Sequence, residues 1–190
     1  MRAAIAIACS FAIAGCTPST PESQFTQWHE AHRAQVDAYA TYLREEHVED
    51  VVPMSQLLRT GRRWSQCDAP QFSVPDRARW AGMVPTLRVV RTIQSQGVIA
   101  SPVVASAWRT TPFNRCEGGS GASKHLLNNA LDFDIAAAPG GPRALCEWWR
   151  RNGRAANVGL GFYSPTQIHV DTSGFRTWGS DHTRKTSLCR

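Results

Sequence analysis

Two histidines and one aspartate are the residues whose types and spacing suggest chemistry. His125 precedes Asp132 by seven residues, and His169 follows His125 by 44 residues. Two imidazoles and one carboxylate, with a fourth position left open, form a common ligand set for a catalytic zinc ion. Such an ion polarises a carbonyl group and lowers the pKa of a bound water. The sequence therefore predicts a zinc site formed by these three side chains.

Strands in the second half of the chain must bring these ligands together. Residues 131–136 alternate between polar and apolar side chains, which predicts a strand that carries Asp132. Residues 167–172 predict a second strand, which carries His169. We expect these two ligands to project from neighbouring strands onto one face of a sheet. His125 then arrives from the loop before the first of these strands.

Helices predominate in the first half of the chain and strands in the second. Apolar spacing predicts a helix over residues 24–47, capped by Ser23, and a second helix over residues 76–96 with a kink at Pro85. The other predicted elements are strands at 101–108, 158–163 and 176–179, a short helix at 142–152, and loops at 61–75 and 109–124. This order favours an α+β fold with an antiparallel sheet that carries the metal site, preceded by two main N-terminal helices.

Length and composition limit the possible classes of protein. The 190 residues are 42% hydrophobic and 19% charged, which suits one folded domain, predicted over residues 24–190. No apolar run reaches the roughly 20 residues of a spanning helix, which excludes a multi-pass membrane protein. The net charge of +6 is spread along the chain and forms no basic tract. We therefore expect no nucleic-acid partner, and we expect a monomer.

The first residues predict export and lipid attachment. A short basic start and an apolar stretch over residues 3–14 are typical of a signal peptide. The tetrad Ile13-Ala14-Gly15-Cys16 resembles the lipobox of bacterial lipoproteins, in which the cysteine is lipidated. This resemblance implies a signal peptide over residues 1–15 and a tether over residues 16–23. Because residue 17 is not Asp, it also implies a periplasmic protein anchored to the outer membrane.

Four cysteines remain in the exported chain once Cys9 is removed and Cys16 is lipidated. An even number of cysteines in an oxidising compartment predicts two disulfides, for which three connectivities are possible. No pair has the CxxC spacing of a cysteine zinc site. Of the three connectivities, we expect the one that joins Cys67 to Cys116 and Cys146 to Cys189.

The sequence around the predicted ligands resembles a known family. The pattern Ser-x-His-x-x-x-x-Ala-x-Asp over residues 123–132, followed by His-Val-Asp over residues 169–171, is similar to the D-Ala-D-Ala carboxypeptidase family of zinc peptidases, the M15 group. Residues 106–109 resemble an element that precedes this motif in the family. Residues 159–163 and the segment after them look like the subgroup that includes murein endopeptidases.

This resemblance, which covers about residues 57–189, implies a fold, a ligand set and a substrate class. The fold is that of hedgehog and DD-peptidase domains. The zinc ligands are His125, Asp132 and His169, and Arg109 faces the substrate, where it holds a carboxylate or a developing oxyanion. Asn128 replaces a small residue of the family, and it tolerates the left-handed backbone that this turn requires.

The general base is the main departure from the family pattern. Many relatives have Glu three residues before the last ligand, where this chain has Thr166. Asp171 lies on the same face of its strand as His169, so it either activates the water or only orients a ligand. Asp134 is a second candidate, and His182 is a further one. The sequence favours Asp171 and leaves the alternatives open.

The sequence therefore favours a zinc-dependent hydrolase of peptide bonds in peptidoglycan stem peptides or cross-links. It does not distinguish a carboxypeptidase from an endopeptidase. A non-catalytic lipoprotein that binds the cell wall with the same fold is the main alternative, and a zinc hydrolase of non-peptide substrates is a third. Four tryptophans are candidates for a groove, although core packing is expected for most of them: Trp108, Trp148, Trp149 and Trp178.

Overall fold

The first long helix is capped by a threonine that the sequence analysis overlooked. The computed structural model describes residues 20–99, 102–135 and 141–190, so the predicted signal peptide and Cys16 lie outside the described residues. Helix α1 (Pro21–Glu45) starts at Pro21 and not at residue 24. Thr20 Oγ1 accepts a hydrogen bond from the backbone N–H of Ser23 at 3.2 Å, so the N-cap is Thr20 and the prediction of Ser23 was wrong.

The second long helix lies within the predicted residues 76–96 and is shorter than predicted. A 3₁₀ turn at Arg77–Arg79 leads into helix α3 (Trp80–Ser95), which contains Pro85, and the four-residue helix α2 (Met54–Leu57) precedes both. Apolar side chains of α1 and α3 belong to one buried core, which also covers one face of the sheet. None of the helices in the described residues is long and apolar enough to cross a membrane.

In the described residues, five strands form the sheet, in the order β1-β2-β4-β3-β5. The pairs β1–β2, β2–β4 and β3–β4 are antiparallel, so β3 and β4 form a hairpin around Ser164, whereas β5 pairs with β3 in parallel. The α+β fold is thus confirmed, with one parallel edge in a mostly antiparallel sheet. The strand bounds are β1 Val103–Ser106, β2 Ala130–Asp134, β3 Gly159–Phe162, β4 Gln167–Asp171 and β5 Arg176–Trp178.

The sequence predicts a loop over residues 109–124, but part of this segment is helical. Helix α4 (Thr111–Cys116) lies within them, and the side chain of Thr110 accepts a hydrogen bond from the N–H of Phe113. The predicted short helix is confirmed as α5 (Gly141–Asn152). A final 3₁₀ turn at Arg184–Thr186 lies near the C-terminus.

Both disulfides have the predicted connectivity. Cys67 is bonded to Cys116, which joins the loop after α2 to the end of α4. Cys146 is bonded to Cys189, which joins α5 to the C-terminal residues. Trp148 and Trp149, on the same helix, are buried in the core, as expected for most of the tryptophans.

The register of the sheet aligns the site across all five strands. Ser106 pairs with Asp132, Asp132 with His169, His169 with Gly161, and Gly161 with Trp178. Directly paired residues in neighbouring strands place their side chains on the same face of the sheet. One cross-strand row therefore carries two of the predicted ligands, with a serine at one end and a tryptophan at the other.

Candidate metal centre

The structure brings the three predicted ligands together. His125 Nε2 lies 3.2 Å from His169 Nδ1 and 3.1 Å from Asp132 Oδ1, and His169 Nδ1 lies 2.9 Å from the same carboxylate oxygen. One donor atom from each residue therefore falls inside a group less than 4.8 Å across. All three side chains are buried.

A hydrogen bond on the far side of each imidazole fixes which nitrogen faces the centre. His125 Nδ1 donates to the carbonyl oxygen of Ala107 at 2.5 Å. His169 Nε2 lies 2.9 Å from Asp171 Oδ2, to which it donates. Because the ring protons of the two histidines lie on His125 Nδ1 and His169 Nε2, His125 Nε2 and His169 Nδ1 each direct a lone pair at the carboxylate oxygen of Asp132.

This donor set fits a zinc ion. Ligand atoms about 2.0–2.2 Å from a tetrahedral ion lie about 3.3–3.6 Å from one another, close to the spacing of these three atoms. Three lone pairs that converge in a buried space repel one another unless a cation or a proton lies between them. Two nitrogens and one oxygen are ligands that zinc accepts, and the outward partners of both histidines match the usual surroundings of metal-bound imidazoles.

The pKa values of the two imidazoles diverge because their partners differ. Burial, followed by the nearby Arg109 guanidinium, lowers the pKa of His125 to about 4. Burial also lowers the pKa of His169, but hydrogen bonds to Asp132 and Asp171 outweigh it and raise this pKa above its ordinary value. In the metal-free protein, a proton therefore competes for the centre mainly at His169.

Arg109 holds the carboxylate ligand in place. Its Nη2 donates to Asp132 Oδ2, and its Nε donates to Ser106 Oγ at 2.8 Å. Ser106 in turn donates to the carbonyl oxygen of Thr60 at 2.6 Å. Burial would raise the pKa of Asp132, but His125, His169 and Arg109 outweigh it and hold this pKa well below its usual range. Arg109 also lines the cleft above the centre, and its contact with a substrate, which the resemblance implies, stays a prediction.

Asp171 lies behind His169 and not beside the open side of the centre. Besides His169, its carboxylate accepts hydrogen bonds from Arg176 at 2.7 and 3.0 Å and from the backbone N–H of Ser173 at 2.9 Å. Burial opposes ionisation, yet the hydrogen bonds from His169 and Arg176 lower the pKa of Asp171 to about 2. This geometry favours the orienting role that the sequence left open, while the role of general base stays a prediction.

Neither Asp134 nor residue 166 supplies a free carboxylate to the centre. Asp134 forms a two-pronged ion pair with Arg62 at 2.8 and 2.9 Å, and both side chains are partly exposed. Thr166, which replaces the expected Glu, is exposed in the turn between β3 and β4.

A left-handed residue anchors the turn that presents His125. The 3₁₀ turn Lys124–Leu127 ends at Asn128, whose φ of 52° confirms the expected left-handed backbone. The Asn128 side-chain amide donates to the carbonyl oxygen of Arg79 at 3.1 Å. Helix α3 approaches this turn closely at Gly82, because a Cβ there would lie 2.6 Å from the carbonyl oxygen of Leu127. The N-terminal helices thus position a ligand.

Tyr163 is a residue of the site that the sequence analysis missed. Its hydroxyl lies 3.5 Å from His169 Nδ1, on the open side of the centre. Burial, followed by the Asp132 carboxylate, raises the pKa of Tyr163, so the hydroxyl keeps its proton at neutral pH. Tyr163 directly follows β3 in the tight turn before β4, a position that gives a tyrosine no distinctive spacing in the sequence.

A cleft of about 310 Å³ opens above the centre. We call it the main cleft; its floor includes His125 and His169, and its walls include Arg109, Lys124, Tyr163, Arg176, Trp178 and His182. Trp178 is therefore the predicted groove tryptophan that reaches the site. Trp108 instead lines a separate depression next to Leu126 and Thr110.

Comparison with known proteins agrees with this geometry. A model of the Peptidase M15 family matches residues 56–171, more than half of the chain, including all three ligands. A search of curated proteins and a search of solved structures found no match. The matched segment and the His-Asp-His centre show that the chain belongs to the Peptidase M15 family, a family of metallopeptidases.

Proposed function

We propose that this protein is a zinc-dependent peptidase that hydrolyses peptide bonds in peptidoglycan. The observation that carries the proposal is the convergence of His125 Nε2, Asp132 Oδ1 and His169 Nδ1 at the floor of an open cleft. A zinc ion held there would lower the pKa of a water molecule and polarise the carbonyl group to be cleaved. The membership of a peptidase family supports the choice of a peptide bond.

The surrounding side chains prepare the centre for this chemistry. Asp171 and Arg176 hold the ring of His169, and Ala107 holds the ring of His125. The protonated Tyr163 hydroxyl and the Arg109 guanidinium line the cleft at its open side. Both groups donate hydrogen bonds, so they can stabilise negative charge on the carbonyl oxygen as water attacks.

The charge of the main cleft suits an acidic peptide. Arg109, Lys124 and Arg176 line it, and no aspartate or glutamate is among its lining residues in the described part of the chain. Peptidoglycan is anionic and lies within reach of a periplasmic domain tethered through Cys16. Trp178 adds an aromatic wall to the cleft, against which a sugar or an aliphatic side chain can pack.

Digestion of purified sacculi tests the proposal. We expect the mature protein to release peptide fragments that mass spectrometry can identify. The release should stop when the metal is removed by a chelator and should resume when zinc is added back. His125→Ala should lose both the bound zinc and the activity. His29→Ala, at a partly exposed position of α1, is the matched control and should keep both.

Two outcomes would contradict the proposal. Zinc binding without any release of fragments would favour a non-catalytic protein that binds the cell wall. Release that continues in the presence of chelator, or in His125→Ala, would remove the metal centre from the reaction. The fragments themselves distinguish a carboxypeptidase, which releases single terminal residues, from an endopeptidase, which separates cross-linked peptides.

A further inference from the structure

His182 stands at the rim of the metal centre although it is distant from the ligands in sequence. Its ring lies 6.3 Å from the ring of Tyr163, measured between centroids, and the two planes meet at 69°. His182 lines the main cleft together with His125 and His169. It also lines an adjoining cleft of about 220 Å³, which includes Asp132.

The backbone of His182 is strained, and the surrounding segment maintains the strain. Its φ of 60° lies in the left-handed region, which few residues other than glycine adopt. The N–H of His182 donates to the carbonyl oxygen of Gly179 at 2.9 Å, and Gly179 donates to the carbonyl oxygen of Thr183 at 3.0 Å. Asp181 accepts hydrogen bonds from Thr183 and Thr186. The Cys146–Cys189 disulfide secures the end of the same segment.

The carboxylates near the centre are committed to other partners. Asp171 is enclosed behind His169, and Asp134 is paired with Arg62. Glu117 lines the adjoining cleft, but its Oε1 accepts the backbone N–H of Arg63 at 2.7 Å. Among the described residues that line the main cleft, His182 is the imidazole that is not part of the metal centre. Imidazole is the side chain best suited to exchange protons near neutral pH.

We propose that His182 is a catalytic residue that transfers the proton during hydrolysis. Its ring nitrogen takes a proton from the attacking water as the oxygen bonds to the carbonyl carbon. The carbon–nitrogen bond then breaks, and the imidazolium gives its proton to the leaving amine. No net proton is gained or lost by the protein, and no further reactant is needed. This role rests on the proposed peptidase function.

The charged and titratable groups around His182 come from several elements. Tyr163 faces it from the turn after β3, and Asp181 precedes it in its own segment. The remaining groups line the two clefts that it shares: Arg62, Arg109, Glu117, Lys124, Asp132 and Arg176, besides the two ligand histidines. Arginine and lysine outnumber the carboxylates among them.

The variant His182→Asn tests the role of His182 in proton transfer while keeping its backbone conformation. Asparagine tolerates a left-handed backbone but cannot act as a base at neutral pH. In the zinc-loaded protein we expect turnover to fall at least about 100-fold, since general acid–base catalysis contributes about 10²–10⁴-fold. Zinc content and melting temperature should stay near those of the wild type. At saturating zinc, the acidic limb of the pH profile of kcat should differ between His182→Asn and the wild type.

The matched control is His47→Asn. His47 is also an exposed histidine with a positive φ, 56°, but it follows helix α1 and lines neither cleft. We expect it to keep full turnover. Turnover of His182→Asn within threefold of the wild type, or an unchanged acidic limb, would overturn the role of His182 while the peptidase function stood. A zinc-loaded wild type that cleaves no sacculus peptide would overturn both.

Discussion

The two ligand histidines are held by acceptors of different strength. His125 donates to a neutral backbone carbonyl, whereas His169 donates to the buried carboxylate of Asp171, which is itself held by Arg176. A carboxylate behind an imidazole fixes the ring and makes its other nitrogen a stronger ligand. We therefore expect His169 to be the stronger of the two histidine ligands.

Asp171→Asn tests this expectation. We expect the affinity for zinc to fall about 10–100-fold, because the amide holds the ring less firmly and gives it less electron density. Competition with a chromophoric chelator measures the change. Asp37→Asn, an exposed carboxylate of α1, is the control and should leave the affinity unchanged. Unaltered affinity in Asp171→Asn, together with a turnover at least tenfold lower, would instead support the general-base role that the sequence favoured.

The pH dependence of metal binding follows from the two histidine pKa values. In the metal-free protein the pKa of His169 lies above 6.5, so the proton that competes with the metal is bound below that raised pKa. Affinity should be constant above it and fall about tenfold per pH unit below it. The pKa of His125, about 4, adds a second competing proton only in strong acid. Zinc titrations at stepped pH would contradict this if affinity rose on acidification.

Strand β3 contributes space to the site and no functional side chain of its own. A Cβ at Gly159 would lie 2.6 Å from an Asp171 carboxylate oxygen and 2.5 Å from Arg176 Nη1, and a Cβ at Gly161 would lie 2.4 Å from the ring of Trp178. The glycines therefore allow the charged pair and the aromatic wall to cover the strand.

Gly161→Ala should move Trp178 away from the cleft. We expect a loss of about 1–3 kcal/mol in the free energy of unfolding, as for other overpacked sites, together with lower turnover. Denaturant unfolding and sacculus digestion measure the two effects. Gly121→Ala is the control, because no atom lies within 4 Å of a Cβ built there. Equal free energies of unfolding of the two variants would show that Trp178 moves aside without a loss of stability.

The His-Asp-His cluster and the main elements were predictable because their signals are local. A histidine seven residues before an aspartate, and alternation in a strand, can be recognised directly in the sequence. Helix α4 and the true start of α1 had local signals too, since in each case a capping threonine precedes a proline in the first turn, and these were overlooked. Tyr163 and the placement of Asp171 depend on the turn between β3 and β4 and on a ring orientation, which no spacing encodes.

The whole molecule has a short link to its proposed membrane anchor. Only residues 17–20 separate Cys16 from the first residue of α1. Four extended residues span at most about 14 Å, because each adds no more than about 3.6 Å. An anchored protein of this kind would keep the start of α1 close to the membrane surface and would reach only the peptidoglycan nearest to it.

Cys16→Ser tests the anchor. We expect the protein to move from the membrane fraction to the soluble periplasmic fraction and to lose incorporation of labelled fatty acid, because the acyl chains supply the attachment. Cys9→Ser is the matched control, since that cysteine lies in the proposed signal peptide and its substitution should not affect either result. Retention of Cys16→Ser in the membrane fraction would show that another contact holds the protein there.

The Cys146–Cys189 disulfide and the metal centre close overlapping rings of the chain. The disulfide spans 43 residues, and the centre joins His125 to His169 across 44 residues. Cys146 lies inside the second ring and His169 inside the first, so the rings are interleaved and not nested. Each closure shortens the free chain that the other must bring together, which lowers its entropic cost. Reduction and demetallation should therefore be cooperative: either cross-link alone restrains the shared segment, and losing both should release it.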